Sequence, residues 1–110
     1  MEFQQNELIR SLLQCAVECE HCANACLDEG DHLPMMVNCI RLDRDCATIC
    51  RSTADLIIRG SEISDKALEI CAEICTKCAE ECGSHDMHHC QECAKACMEC
   101  AEACKSHVSV

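Results

Sequence analysis

Residues Cys90–Cys104 read CQECAKACMECAEAC, five cysteines separated by steps of three, four, three and four residues. Residues three and four apart on an α-helix lie one above another. The spacing therefore predicts a helix whose five thiols form a single stripe, with Gln91, Glu92, Lys95, Glu99 and Glu102 turned away from it. A helix in a folded domain buries its apolar stripe. Here the stripe is sulfur where leucine is usual, which makes metal the first chemistry to consider.

The same spacing organises the rest of the chain. The pattern C-A-x-x-C-x-x-C-A-x-x-C occurs at Cys15–Cys26, Cys71–Cys82 and Cys93–Cys104. Its steps average 3.5 residues, the period of a helix-bundle seam. Leu8, Ile9, Leu12 and Leu13 lead into the first copy, and Ile63, Ala67 and Leu68 into the second. Between them a cysteine-poor stretch carries a stripe of Cys39, Leu42, Cys46, Cys50, Thr53 and Ile57. Pro34 suits a first helical turn, Gly30, Gly60 and Gly83 are plausible stops, and Ser61, Ser64 and Ser84 can cap. Helices are expected over about 5–28, 34–59, 62–82 and 86–106, with the tail 108–110 fraying. Four helices of about twenty residues joined by short loops predict an all-α, antiparallel up-down-up-down four-helix bundle with a cysteine-lined core.

At 110 residues the chain is read as one metal-binding domain, residues 1–110, with a modest core. Phe3 is its only aromatic residue and sixteen positions are cysteine, so the core must be built largely from Cys and Ala. In a small secreted protein such a count would signal disulfides; in a reduced compartment it signals metal. The start MEFQQNE lacks a basic region followed by an apolar run, and no segment approaches the ~20 apolar residues of a membrane span. The expectation is a cytoplasmic, reduced chain with no membrane partner. A formal charge of −11 argues against nucleic acid, which requires a basic patch; these acids read chiefly as a solvated face.

Bundle topology sorts residues to two ends. One end collects His32, Met35, Met36, His85, Met87, His88 and His89, a candidate mouth for metal uptake. The other collects an aliphatic plug of Leu8, Ile9, Leu12, Leu13, Leu56, Ile57, Ile58, Ile63, Leu68 and Val108. Individually, the methionines could be core filler and the histidines surface residues; their convergence at the cysteine-rich end is what favours a mouth.

The candidate metal ligands are Cys15, Cys19, Cys22, Cys26, Cys39, Cys46, Cys50, Cys71, Cys75, Cys78, Cys82, Cys90, Cys93, Cys97, Cys100 and Cys104. Thiolate-rich sites select Cu(I), Zn(II) or iron–sulfur clusters. Cysteines at i and i+4 have Cβ atoms about 5–6 Å apart, and their sulfurs can adjust to ~4.5 Å, about twice the ~2.3 Å of a Zn–S bond. That suits two-coordinate Cu(I), whereas zinc wants four ligands and would need paired helices. Charge agrees. Sixteen thiolates around about four Zn(II) leave 8 − 16 = −8 in a narrow interior, and around sixteen Cu(I) leave zero; buried uncompensated charge costs several kcal/mol per ion. The reading is therefore many Cu(I) ions, of order one per cysteine, stored or buffered without catalysis. A Zn(II)/Cd(II) sequestering or sensing protein with inter-helix four-cysteine sites is the alternative. An iron–sulfur or thiol redox protein ranks lower, because its usual loop or βαβ setting is not predicted.

These residues resemble the bacterial copper storage proteins. The resemblance runs from about Leu8 to Ser106 and rests on the C-x-x-x-C pairs Cys15/Cys19, Cys22/Cys26, Cys46/Cys50, Cys71/Cys75, Cys78/Cys82, Cys93/Cys97 and Cys100/Cys104. It implies Cu(I) held by pairs within a helix with bridging thiolates, uptake at the Met/His end, and a homotetramer of bundles. It also implies the cytosolic branch, whose partners would be copper ions, copper chaperones or copper-requiring enzymes. Helix two departs from the pattern, since Cys39 lacks a C-x-x-x-C partner there.

Overall fold

The structure, a computed structural model, describes residues 2–108. Four α-helices make up nearly all of it: α1 (Phe3–Cys26), α2 (Leu33–Ile58), α3 (Ser64–Gly83) and α4 (His88–His107), with a single 3-10 turn at Gly30–His32 before α2. Each boundary lies within about two residues of the sequence reading. Met1, Ser109 and Val110 lie outside the described residues, and with them most of the tail expected to fray. Helix α1 packs on α2 and α4, and α3 packs on the same two; the diagonal pairs do not approach within 8 Å between Cα atoms. That ring of neighbours is an up-down-up-down bundle, 46 Å long and 20 × 18 Å across its Cα atoms. No described helix is long and apolar enough to cross a membrane.

The caps follow backbone geometry more than side chains. Gly60 directly follows the last residue flanking α2 and has φ +67°, the left-handed conformation that glycine adopts without a Cβ penalty. Gly83, by contrast, is the last residue of α3, where a Cβ would make only an ordinary 3.7 Å contact with Ala94 Cβ on α4. Ser84 does not cap α4. It flanks the end of α3 and its hydroxyl donates to the Glu81 carbonyl at 2.6 Å. Ser64 is the first residue of α3, and the Ser61 hydroxyl oxygen accepts the Ile63 amide at 3.3 Å while the Ser61 carbonyl accepts the Ser64 hydroxyl at 2.7 Å.

The core follows the cysteine stripe. Beside the thiols lie buried Ala16, Ala23, Ala47, Ala54, Ala72, Ala79 and Ala101, whose small side chains let neighbouring helices close. Leu8, Ile9, Leu12, Ile57 and Leu68 form the aliphatic plug, with Val108 packed against it. Leu13, Ile58 and Ile63, expected in that plug, are exposed. Leu13 and Ile58 sit one residue off a stripe already filled by Leu12 and Ile57, and an ~100° turn per residue carries them to the outside, whereas Ile63 lies in the connection just before α3 begins.

At the opposite end the two adjacent methionines separate: Met36 is fully buried in the core and Met35 is 63% exposed. Met36→Ala is therefore expected to destabilise the reduced apo protein by about 2–5 kcal/mol. Met35→Ala is expected to stay within about 0.5 kcal/mol of the parent. Urea unfolding under reducing, metal-free conditions checks both.

Candidate metal centre

Every cysteine is fully buried and none is in a disulfide. The i, i+4 pairs Cys22/Cys26, Cys46/Cys50, Cys71/Cys75, Cys78/Cys82 and Cys93/Cys97 each hold their Sγ atoms 3.9 Å apart. Two collinear metal–sulfur bonds of ~2.3 Å would need ~4.6 Å. The metal-free pairs are closer than that, and sulfurs from neighbouring helices are closer still. Cys19 and Cys97 stand 3.5 Å apart, Cys46 and Cys75 3.6 Å, Cys50 and Cys71 3.7 Å, and Cys39 and Cys82 3.1 Å. Any ion between a helical pair thus meets a further thiol from across the bundle.

Those approaches build overlapping tetrads whose ligand atoms lie within 4.8 Å of one another. They include Cys15/Cys50/Cys75/Cys100, Cys15/Cys19/Cys46/Cys97 and Cys19/Cys78/Cys93/Cys97. Cys15, Cys19 and Cys97 each belong to two of these. Shared members make a continuous column in which one thiol lies within reach of two candidate sites, unlike the closed, separate ligand set of a structural zinc site.

Asp43 is the residue that the sequence reading missed. It is fully buried, whereas Leu42, assigned to the stripe, is only partly so. One carboxylate oxygen accepts from Cys78, Cys93 and Cys82 at 3.1, 3.2 and 3.3 Å, and the other lies 3.7 Å from the Cys39 sulfur. Cys22, Asp43, Cys82 and Cys93 form another tetrad. The signal was present in the spacing: Cys39, Asp43, Cys46 and Cys50 keep the steps of four, three and four, and Ala47 follows Cys46 as the repeat requires. Helix α2 thus carries a fourth copy with aspartate in place of its second cysteine. Cys39 has a helical partner after all, and that partner is an oxygen.

Burial, then the nearby Cys93 and Cys39 sulfurs, push the Asp43 carboxyl up to about 9, although the Cys78 S–H opposes the shift. Sulfur donors are weak, so burial wins. Cys39 moves the other way, down to about 3, because Cys22 and Cys82 hydrogen-bond to its thiolate. Burial raises Cys26 and raises Cys90 to about 11.

The outermost tetrad is Cys22/Cys26/His89/Cys90. His89 Nδ1 lies 3.5 Å from the Cys22 and Cys90 sulfurs and 4.0 Å from that of Cys26, while its Nε2 is 3.0 Å from Glu29 Oε1. His85, also mostly buried, has Nε2 2.8 Å from Glu81 Oε2. Of the other mouth candidates, Met87 is half-buried against the core, whereas His32, Met35 and His88 are exposed. His88 leans toward Glu92 at 3.8 Å. Topology brings all seven to one end; only His89 joins the thiol tetrad there.

The raised Asp43 carboxyl has a measurable consequence for the metal-free protein. Between the ~3.9 of an unfolded aspartate and about 9, the folded state keeps a proton that the unfolded chain has released. Its stabilising contribution is full below the unfolded value and is lost as pH rises through the folded one, by at most about 1.4 kcal/mol per pH unit. The Cys39 thiol, held down to about 3, opposes this over the same range, so the Asp43 contribution is read by difference: relative to the parent, Asp43→Asn is expected to gain stability as pH rises from 5 to 8 in urea unfolding of the reduced apo protein.

With this geometry in place, the likeness to known proteins is informative. A family model described as copper storage protein matches residues 1–109. The Cu(I)-bound copper storage protein BsCsp3 is 40% identical with a TM-score of 0.92, the match covering 96% of this chain and 99% of that one. Apo copper storage protein 3 from Bacillus subtilis is 41% identical, with a TM-score of 0.88 over 94% of this chain and 98% of its own. A cytosolic copper storage protein from Streptomyces lividans, captured with five coppers, is 36% identical, with a TM-score of 0.89 over 94% and 90%. Sulfur column, four-helix architecture and near-complete coverage agree: the chain belongs to the copper storage protein family.

Proposed function

We propose that this protein stores Cu(I) in the cytosol, using its sixteen cysteine thiolates as shared ligands, Asp43 as an oxygen donor within the column, and His89 at the mouth. The observation that carries the reading is the sharing itself: all sixteen thiols are buried and their tetrads overlap. Cu(I) is a soft monovalent ion suited to thiolate, so a full column of Cu(I) and thiolate carries no net charge. Similar sites repeated along one axis give capacity, which favours storage over catalysis. The Streptomyces relative is described as cytosolic, and a cytosolic location keeps the thiols reduced. Assembly into a homotetramer, which the resemblance implies, belongs to the same reading. Copper chaperones or copper-requiring enzymes are the partners that this reading implies.

Zinc is the second reading, because a tetrad within 4.8 Å is also compact enough for tetrahedral sulfur coordination. Stoichiometry separates the two. An anaerobic Cu(I) titration of reduced protein against a competing chromogenic chelator is expected to saturate near one copper per cysteine; saturation at about four would favour zinc-like closed sites. Proton release gives an independent count, because metal binding requires deprotonated thiols. In weakly buffered solution near pH 7, about one proton per copper is expected, against as many as about four per metal for a closed four-thiolate zinc site.

A further inference from the structure

We propose that Glu29 is a positioning residue for the mouth, fixing the His89 tautomer so that its unprotonated nitrogen faces the outermost thiols. The inference rests on the copper reading and adds to it the residue that prepares the first ligand set for metal.

The connection between α1 and α2 brings Glu29 across the mouth to α4. Leu27, Asp28 and Glu29 amides donate to the Asn24, Ala25 and Cys26 carbonyls at 3.2, 3.1 and 3.3 Å, so the chain continues to turn after α1 ends. Gly30 follows with φ +59°, a conformation in which a Cβ would be strained. The turn leaves the Glu29 carboxylate at the opening, three residues beyond Cys26 and 3.0 Å from His89 Nε2. Both side chains are largely shielded, with relative accessibilities of 16% for His89 and 25% for Glu29.

A neutral imidazole carries one proton, and the nitrogen without it is the acceptor or metal ligand. A carboxylate can only accept at Nε2, so the bond to Glu29 requires the proton there. Nδ1 is then a lone pair, facing Cys22 and Cys90 at 3.5 Å and Cys26 at 4.0 Å. A carboxylate holding the outer nitrogen of a ligating histidine raises its basicity and fixes its ring plane. An ordinary loop-to-helix ion pair would contribute little and would not select a tautomer. Residues of the α1–α2 connection and of α4 are thereby joined at the point where the column opens.

The test uses Glu29→Gln and Glu29→Ala. Gln keeps a carbonyl acceptor for Nε2–H, whereas Ala removes it. In reduced apo protein, 15N NMR of the imidazole is expected to show the Nε2–H tautomer of His89 in the parent and in Glu29→Gln, and a tautomer mixture in Glu29→Ala. Anaerobic titration with Cu(I) alone is expected to shift the His89 Nδ1 resonance. About tenfold less chelator should reverse that shift in Glu29→Ala than in the parent, with Glu29→Gln near the parent. Circular dichroism identifies a variant that has lost helix, and the parent tautomer remains decisive if one has. A parent His89 protonated at Nδ1, or a Glu29→Ala protein with unchanged tautomer and unchanged chelator resistance, overturns the role of Glu29. Failure of the parent to take up Cu(I) at all would instead sink the storage reading.

Discussion

Sixteen sulfur atoms share one water-free column between four helices, and the rest of the structure depends on keeping them there. Cysteine is small, so the column is possible only in a narrow bundle, and the bundle is narrow because alanine lies beside the stripe. Ala16, Ala47, Ala72 and Ala101 are all buried at such positions. An aliphatic core of the same length would spread the helices and separate the thiols. Packing and ligand spacing are therefore a single property here, and a bulkier residue beside the stripe would disturb both.

The same compactness creates an electrostatic problem. Thiols in contact cannot all ionise in a dry interior without compensating charge, and the apo column shows the strain in opposite shifts: Cys39 is held low by Cys22 and Cys82, while burial pushes Cys26 and Cys90 up. Asp43 places a carboxyl among four thiols and is itself pushed toward its neutral form. A monovalent soft cation relieves this by replacing each thiol proton one for one. The geometry is shaped for that exchange, with cross-helix sulfurs already near every helical pair.

The two ends differ in kind. Leu8, Leu12, Ile57 and Leu68 close one end with apolar contacts, where no metal can be held. The other end is finished by polar side chains: His89 beside three thiols, Glu29 behind it, and His85 held by Glu81. The polar candidates are thus gathered at the end of the column away from the apolar plug.

The helical step of the cysteines determined most of this by itself. Residues at i, i+3, i+4 and i+7 must share a face whatever they pack against, so helix number, the inward stripe and the sulfur core were legible from Cys15, Cys71 and Cys93 onward. Which of two neighbouring residues turns inward was decided only by tertiary packing. Leu42 and Asp43 are adjacent, and hydrophobicity favours the leucine; the aspartate is buried because Cys78, Cys82 and Cys93 offer it hydrogen bonds from α3 and α4. Leu13 and Ile58 lost their core places because Leu12 and Ile57 already filled them, and Ile63 because it falls in the connection before α3. The selection of His89 over His32 and His88 rests on Glu29 and on thiols from α1 and α4. Glu29, Cys22 and Cys26 lie sixty or more residues from His89 in sequence, so only the folded chain brings them together.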